Sequence, residues 1–380
     1  MTRKKVDFFK HNIDPKDIRR AASVLKSIFL TTGSEVAAFE DALSRFLGAE
    51  HAVGMTSCTG ALHLGLEAWG IGPGDEVLVP AMSFCATSNA VMHAGAVPVF
   101  VDSEDATGNI DAGLLEKKIT RRTKAVIPVH LYGQMCDMRS IRRLADRRGL
   151  VVIEDAAHCL EGRRDGVRVG QLGDAAAFSF YATKSITSGE GGAISLHDGR
   201  MADKLRSLRH HGIDKGAGDR YTKLYRHWDM PLLGWKYNMD NIQAALLIGQ
   251  LERADDFCAR RRALAEIYER GLKDIPGLNL MSTAPKTIHS RHLFTIRVRA
   301  AKRDKILLEL QRQGIGVAVN YRPIHLLKYY RQRFGFKPGD FPVAEKIGSE
   351  TISLPLYPKL KDGQVRTVIG AVRRVLAAHG

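Results

Sequence analysis

Phe178-Ser179-Phe180-Tyr181-Ala182-Thr183-Lys184 runs from a short apolar stretch into a lysine, and Gly189-Glu190-Gly191-Gly192 follows as a glycine-rich turn. This spacing places a primary amine at the mouth of a sheet instead of on a solvated helix. Upstream, Val151-Val152-Ile153-Glu154-Asp155 is a second apolar stretch, ending in a carboxylate. Burying such a carboxylate is costly unless it is paired or has a task, and capping the following helix is the plainest task.

Short apolar runs alternate with helix-period segments from about residue 50 to 200. Strands are expected at His51–Met55, Glu76–Pro80, Val97–Val101, Ala125–Val129, the run ending at Asp155, the run before Lys184, and Gly192–Leu196. Helices are expected at Gly60–Trp69, Ser88–His93 and Ile141–Arg148. This alternation predicts a largely parallel α/β sheet with its ligand site at the carboxyl ends of the strands, where Asp155 and Lys184 fall. One long amphipathic helix over Asn241–Tyr268 leads out of this unit. Strands at His292–Val298 and Val317–Asn320, with helices at Asp304–Arg312 and Gln364–Ala378, predict a smaller α+β unit. The division is a large α/β domain over residues 1–250 and a small C-terminal domain over 251–380.

The 380 residues are 44% hydrophobic, enough for a large core. No run approaches the roughly 18 unbroken apolar residues of a membrane span. The basic start, Met1 to Asp7, has no apolar stretch behind it, so a cytoplasmic protein is expected. The five cysteines are scattered without a CxxC pair and read as reduced thiols, with no metal-ligand set. A net charge of +16 raises the question of nucleic acid. The basic groups, such as Arg142-Arg143 with Arg147-Arg148, sit in helical segments with acidic neighbours, and no recognition motif accompanies them. A solvated face is the plain reading, and a field that draws an anionic small molecule is the functional one.

Thr56-Ser57-Cys58-Thr59-Gly60 joins the first strand to its helix. Small hydroxyl residues and a glycine there expose backbone N–H groups at a positive helix end, which suits a phosphate dianion, although Ser and Thr are also ordinary caps. Ser179 adds a hydroxyl one strand away. Phe84 stands at another strand end and can stack on a flat ring or fill the core. His158, three residues after Asp155, can meet a ligand or serve structure. An amine, a carboxylate, phosphate donors and an aromatic together suit pyridoxal phosphate: the lysine condenses with its aldehyde, and the carboxylate keeps the ring nitrogen protonated.

Glu154-Asp155-Ala156-Ala157-His158, the run ending at Lys184, and Gly189-Glu190-Gly191-Gly192 resemble the sugar aminotransferase family often called DegT/DnrJ/StrS. Leu30-Thr31-Thr32-Gly33, Gly72-Pro73-Gly74-Asp75, Tyr237-Asn238-Met239 and Ser353-Leu354-Pro355-Leu356 agree in order along nearly the whole chain, with aminoarabinose-type and spore-coat-polysaccharide-type members the most alike. The resemblance implies the fold type I of pyridoxal-phosphate transferases, aspartate aminotransferase-like. It implies Lys184 as the condensing lysine and proton shuttle, Asp155 at the ring nitrogen, and Phe84 on the ring. Thr59, Gly60 and Ser179 would hold the phosphate. Asn238 would reach the phosphate of a neighbouring subunit, making a homodimer with shared sites. His158 and His325 would line the sugar site, and Tyr321 would approach from the smaller domain. Two departures stand out: Cys58 and Asn320 replace the glycine and histidine of many members.

The implied reaction carries an amino group from glutamate, leaving 2-oxoglutarate, to a keto group of a nucleotide-linked deoxysugar, UDP-linked and 4-keto on the same likeness. Amination of a keto-cyclitol and a non-catalytic regulatory dimer of the same fold are alternatives. A dehydratase of this fold is disfavoured, because that branch carries histidine where Lys184 stands.

Overall fold

The computed structural model describes residues 5–214 and 227–379; the basic start at residues 1–4 lies outside them. In chain order the first half contains helices α1 (Pro15–Leu25) and α2 (Ser34–Leu47), strand β1 (His51–Met55), α3 (Cys58–Ala68), β2 (Glu76–Pro80), α4 (Ala86–His93), β3 (Val97–Val101), α5 (Ala112–Leu115), β4 (Thr123–Val126), α6 (Met138–Arg148) and β5 (Val151–Asp155). Two short strands, β6 (Arg163–Arg164) and β7 (Val167–Arg168), precede β8 (Ala175–Ser179), β9 (Gly192–Leu196) and α7 (Gly199–Leu208).

Seven strands form one sheet in the order β1-β9-β8-β5-β4-β2-β3. Neighbours from β8 to β3 run parallel. Each parallel step needs a crossover, and the helices supply it while covering both faces, which is why β2 is buried along its whole length. Residues 180–191 carry the chain directly from β8 back into β9, so β9 runs antiparallel to β8 and to β1. That return loop contains Lys184. Because β5 and β8 are parallel, with Asp155 opposite Ala177, Asp155 and Lys184 leave the same edge of the sheet.

The later elements are α8 (Asn241–Glu252), α9 (Ala254–Leu272), β10 (Leu278–Leu280), β11 (Thr287–Ile288), β12 (Phe294–Val298), α10 (Ala300–Arg312), α11 (Lys328–Phe334), α12 (Pro342–Glu350), β13 (Thr351–Leu354) and α13 (Asp362–His379). An antiparallel sheet, β10-β12-β13, packs with α9, α10 and α13 around a second core that includes Tyr268, Phe294, Ile352 and Val372. Val6 is buried in this same core, far from its neighbours in sequence.

Three expectations change. The helix over Asn241–Tyr268 is two helices, broken at Arg253. There the guanidinium reaches Gly249 O, Asp14 and Asp17, so α1 docks at the break. Val317–Asn320 forms no ladder and touches β13 only through an Ala318–Ser353 bridge. Packing also crosses a cut at residue 250. Tyr330 meets Phe100 of β3 edge-on at 5.7 Å, and Ile324, Phe341 and Ile347 join the core of the large sheet.

Candidate active site

Lys184 sits in a loop clamped at its base. Phe180 N–H donates to Gly191 O at 2.8 Å, and Ser188 N–H donates to Phe180 O at 3.1 Å. From α8, Gln250 accepts Thr187 N–H at 3.1 Å and donates to Thr187 O at 2.8 Å. The side chain enters a cavity of about 460 Å³, to which Asp155, His158, Phe84, Thr59, Ser179 and Tyr321 also contribute. Strand alternation turns Glu154 to the opposite face, where it holds His130, Gly170 and Gly173.

The Asp155 carboxylate is fixed from two sides. Oδ2 accepts from Thr87 Oγ1 at 2.7 Å, and Oδ1 accepts from Ala157 N–H at 3.1 Å. Ser83 lies 3.2 Å behind Thr87. Cys58 Sγ lies 3.9 Å from Oδ1; burial, and then the carboxylate, push its thiol well up, so it stays protonated. Burial pulls the Lys184 ammonium down from the ordinary lysine value to about 8, against the opposite pull of the Asp155 carboxylate. A sizeable neutral fraction therefore exists near neutral pH, which a condensing amine requires.

His158 and His292 lie against each other, ring centroids 4.4 Å apart and planes tilted by 32°. Burial, then the Lys184 charge, holds both well below the usual histidine range, so both are neutral. Tyr132 N–H donates to His158 Nδ1 at 3.3 Å, leaving the proton on Nε2. Nε2–H then donates to the Tyr321 hydroxyl oxygen at 3.0 Å. Burial raises the Tyr321 phenol above its ordinary value, so it remains a neutral donor.

Ser57 caps α3, with its Oγ accepting Gly60 N–H at 3.0 Å. That bond corrects the expectation for Gly60: its N–H is already committed. The N–H groups of Cys58 and Thr59, in the first turn, have no intrahelical acceptor, and the Thr59 and Ser179 hydroxyls face the same cavity. Phe84 exposes 55% of its surface although its only ring contact among the described residues is Tyr321, at 5.6 Å. An open aromatic face, unfilled helix-end donors, a fixed carboxylate and a depressed lysine are the fittings of pyridoxal phosphate.

His325 does not line the cavity. It is fully buried in the turn Ile324–Leu326, with Nε2 2.9 Å from Glu345 and its ring packed on Phe341. Asn238 also lies away from its own cavity and donates to Thr32 Oγ1 at 2.7 Å. The sequence reading passed over Thr87 and His292. A threonine at the start of a helix carries no signal of its own, and a histidine at the start of an expected strand reads as sheet. Phe8 and Phe9 were missed too, since nothing local ties them to residues beyond 300.

β9 meets the turn at Ser57 through Gly192, where an added Cβ would fall 2.2 Å from the Ser57 carbonyl carbon. Backbone cannot yield as a flexible side chain can. Gly192→Ala is therefore expected to displace the start of α3 and weaken pyridoxal phosphate binding at least about tenfold, read by titration of the apo-protein. The lysine sets a pH dependence as well. Uptake of pyridoxal phosphate by the apo-protein, followed by visible absorbance, is expected to slow by about tenfold per pH unit below 8 and to level off above it, as the neutral amine fraction does.

Residues 11–373 match the DegT/DnrJ/EryC1/StrS aminotransferase family. The spore coat polysaccharide biosynthesis protein SpsC of Bacillus subtilis is 42% identical over 96% of this chain and 95% of its own. GDP-perosamine synthase of Caulobacter vibrioides is 39% identical, with 91% of both chains covered. Among solved structures, Helicobacter pylori PseC, an aminotransferase involved in the biosynthesis of pseudoaminic acid, superposes with a TM-score of 0.92 at 30% identity, covering 99% of this chain and 100% of its own. The chain thus belongs to the DegT/DnrJ/EryC1/StrS aminotransferase family and is a pyridoxal-phosphate-dependent sugar aminotransferase.

Proposed function

We propose that this chain moves an amino group from glutamate to the keto carbon of a nucleotide-linked deoxysugar, as a cytoplasmic step in making a surface polysaccharide. The observation that carries this reading is the lysine of depressed basicity beside a carboxylate held by Thr87 and Ala157, both at the end of one sheet. Pyridoxal phosphate, when bound, supplies an electron sink that lets an amino group leave one carbon and join another. Lys184 Nζ holds the condensing position, then takes and returns the proton that moves during transfer. Asp155 supplies a fixed negative charge for the ring nitrogen. Thr59 and Ser179 hold the phosphate, Phe84 covers the ring, and His158 orients Tyr321 toward the substrate.

Two copies share their sites in this proposal. Asn238 lies away from its own cavity, which supports a role across a subunit boundary. The acceptor is UDP-linked and 4-keto, by likeness to the spore-coat type. The GDP-perosamine synthase relative makes GDP-linked ketosugars the first competing set. Loading the protein with glutamate and offering 3-keto and 4-keto sugars on UDP, GDP and dTDP tests this. Amino-sugar formation, with return of the visible absorbance, is expected from the UDP-4-keto compounds. Turnover of keto-cyclitols with none of the nucleotide sugars would overturn it.

A further inference from the structure

Val6 is strapped to the second unit by two backbone hydrogen bonds, Val6 N–H to Gly314 O at 2.9 Å and Gly316 N–H to Val6 O at 2.8 Å. The bridge runs parallel to Ile315, and Val6 itself is 1% exposed in the second core. Gly316 is what lets the strap lie flat: a Cβ there would fall 2.4 Å from Phe8 N. On the outer side, Asp7 pairs with Lys5 at 3.1 Å and Lys10 at 3.5 Å. Two and three residues beyond the anchor, Phe8 and Phe9 line the same cavity as Lys184. Phe8 also leans on the core of the large sheet, whereas Phe9 leaves 40% of its surface open.

This gives the cavity two chemically different sets of walls. The large sheet contributes polar groups: Lys184, Asp155, His158, Ser179 and Thr59. The strap and the end of β13 contribute Phe8, Phe9, Leu354 and Leu356, with no polar side-chain atom among them. Asn320 and Tyr321 add an amide and a phenol near by, but the edge of a sugar ring that faces the strap, with its keto carbon at Lys184, meets side chains that offer no hydrogen bond. A hydroxyl brought there would lose its water without compensation, and a C–H or methyl edge would not.

We propose that the Val6–Phe9 strap is a specificity-determining part of this active site, with Phe9 as the residue that reads the apolar edge of the acceptor sugar. This rests on the ketosugar reading of the cavity. An apolar wall discriminates a methyl from a hydroxymethyl group by about 10- to 100-fold. The preference comes from a segment anchored outside the large sheet, so substitutions in the strap retune it without touching Lys184 or Asp155.

The test is the ratio of kcat/KM for a 6-deoxy-4-ketosugar nucleotide to that for its 6-hydroxymethyl counterpart. Each rate is normalised to the glutamate half-reaction of the same variant. The parent protein is expected to favour the 6-deoxy compound by about 10- to 100-fold. Phe9→Ala should bring the ratio to about three or less, and Phe9→Leu, which keeps an apolar wall, should hold it at about ten or more. A general loss of fold lowers both rates together and leaves the ratio unchanged. An unchanged ratio in a folded Phe9→Ala, or a parent with no preference, overturns the strap proposal. A parent that aminates neither compound overturns the substrate reading instead.

Discussion

Replacing Lys184 with alanine is expected to lower amino-group transfer by roughly 10⁴-fold and to abolish the visible absorbance that marks the covalently loaded protein. The effect is large because, in the proposed reaction, the Nζ serves both as the condensing atom and as the carrier of the migrating proton, and no other primary amine among the described residues lines the cavity. The loop itself should survive the change. It is clamped by Phe180 with Gly191 and by Thr187 with Gln250, none of which involves the lysine side chain. Thr59, Ser179 and Asp155 stay in place, so the variant should still retain pyridoxal phosphate non-covalently, as equilibrium dialysis can measure. Single-turnover kinetics with glutamate gives the rate, and turnover equal to the parent's would remove Lys184 from the chemistry.

Arg261→Ala is expected to destabilise the fold by roughly 3–5 kcal/mol. Arg261 on α9 donates through Nη2 to Glu161 at 2.9 Å, and the two side chains are only 3% and 1% exposed. Its Nε also holds Ser290 O at 2.9 Å. Removing the guanidinium strands a carboxylate that solvent cannot reach, so the cost exceeds what a surface pair is worth. Urea unfolding at neutral pH reads the change, and a loss below about 1 kcal/mol would show the pair behaving like an exposed one. Replacing both partners with apolar residues of similar size, Glu161→Leu with Arg261→Met, should recover most of the loss because no charge remains buried.

What was legible in the residues followed from local chemistry. Apolar runs closing on Asp155 and Lys184 announce strand ends, and parallel pairing of β5 with β8 brings those ends together. Thr59, Ser179, Phe84, His158 and Tyr321 reach the same cavity, each near a motif that marks a turn. What stayed hidden depends on distant partners. The break between α8 and α9 exists because Arg253 turns to acids on α1, whereas the apolar period alone runs through it. His325 sits in a stretch that looks like cavity wall, yet Glu345 and Phe341 hold it inward. Thr87 matters only because α4 lies beside the end of β5, a neighbour relation that no linear pattern encodes.

The antiparallel return of β9 also fixes an order of assembly. β1 and the turn at Ser57 emerge early during synthesis, but among the described residues the one strand paired with β1 in the sheet is β9, the last strand of that sheet to be made. Until Gly192 arrives against Ser57, the start of α3 lacks the backing of β9, and the edge of β1 that β9 will pair stays open to other chains. Pairing over so long a stretch of chain is slow, because its closure entropy comes due before its contacts reward it. A nascent chain is therefore most prone to aggregate in the interval before β9 is added. The start of α3, proposed above to hold the cofactor phosphate, gains the backing of β9 only afterwards.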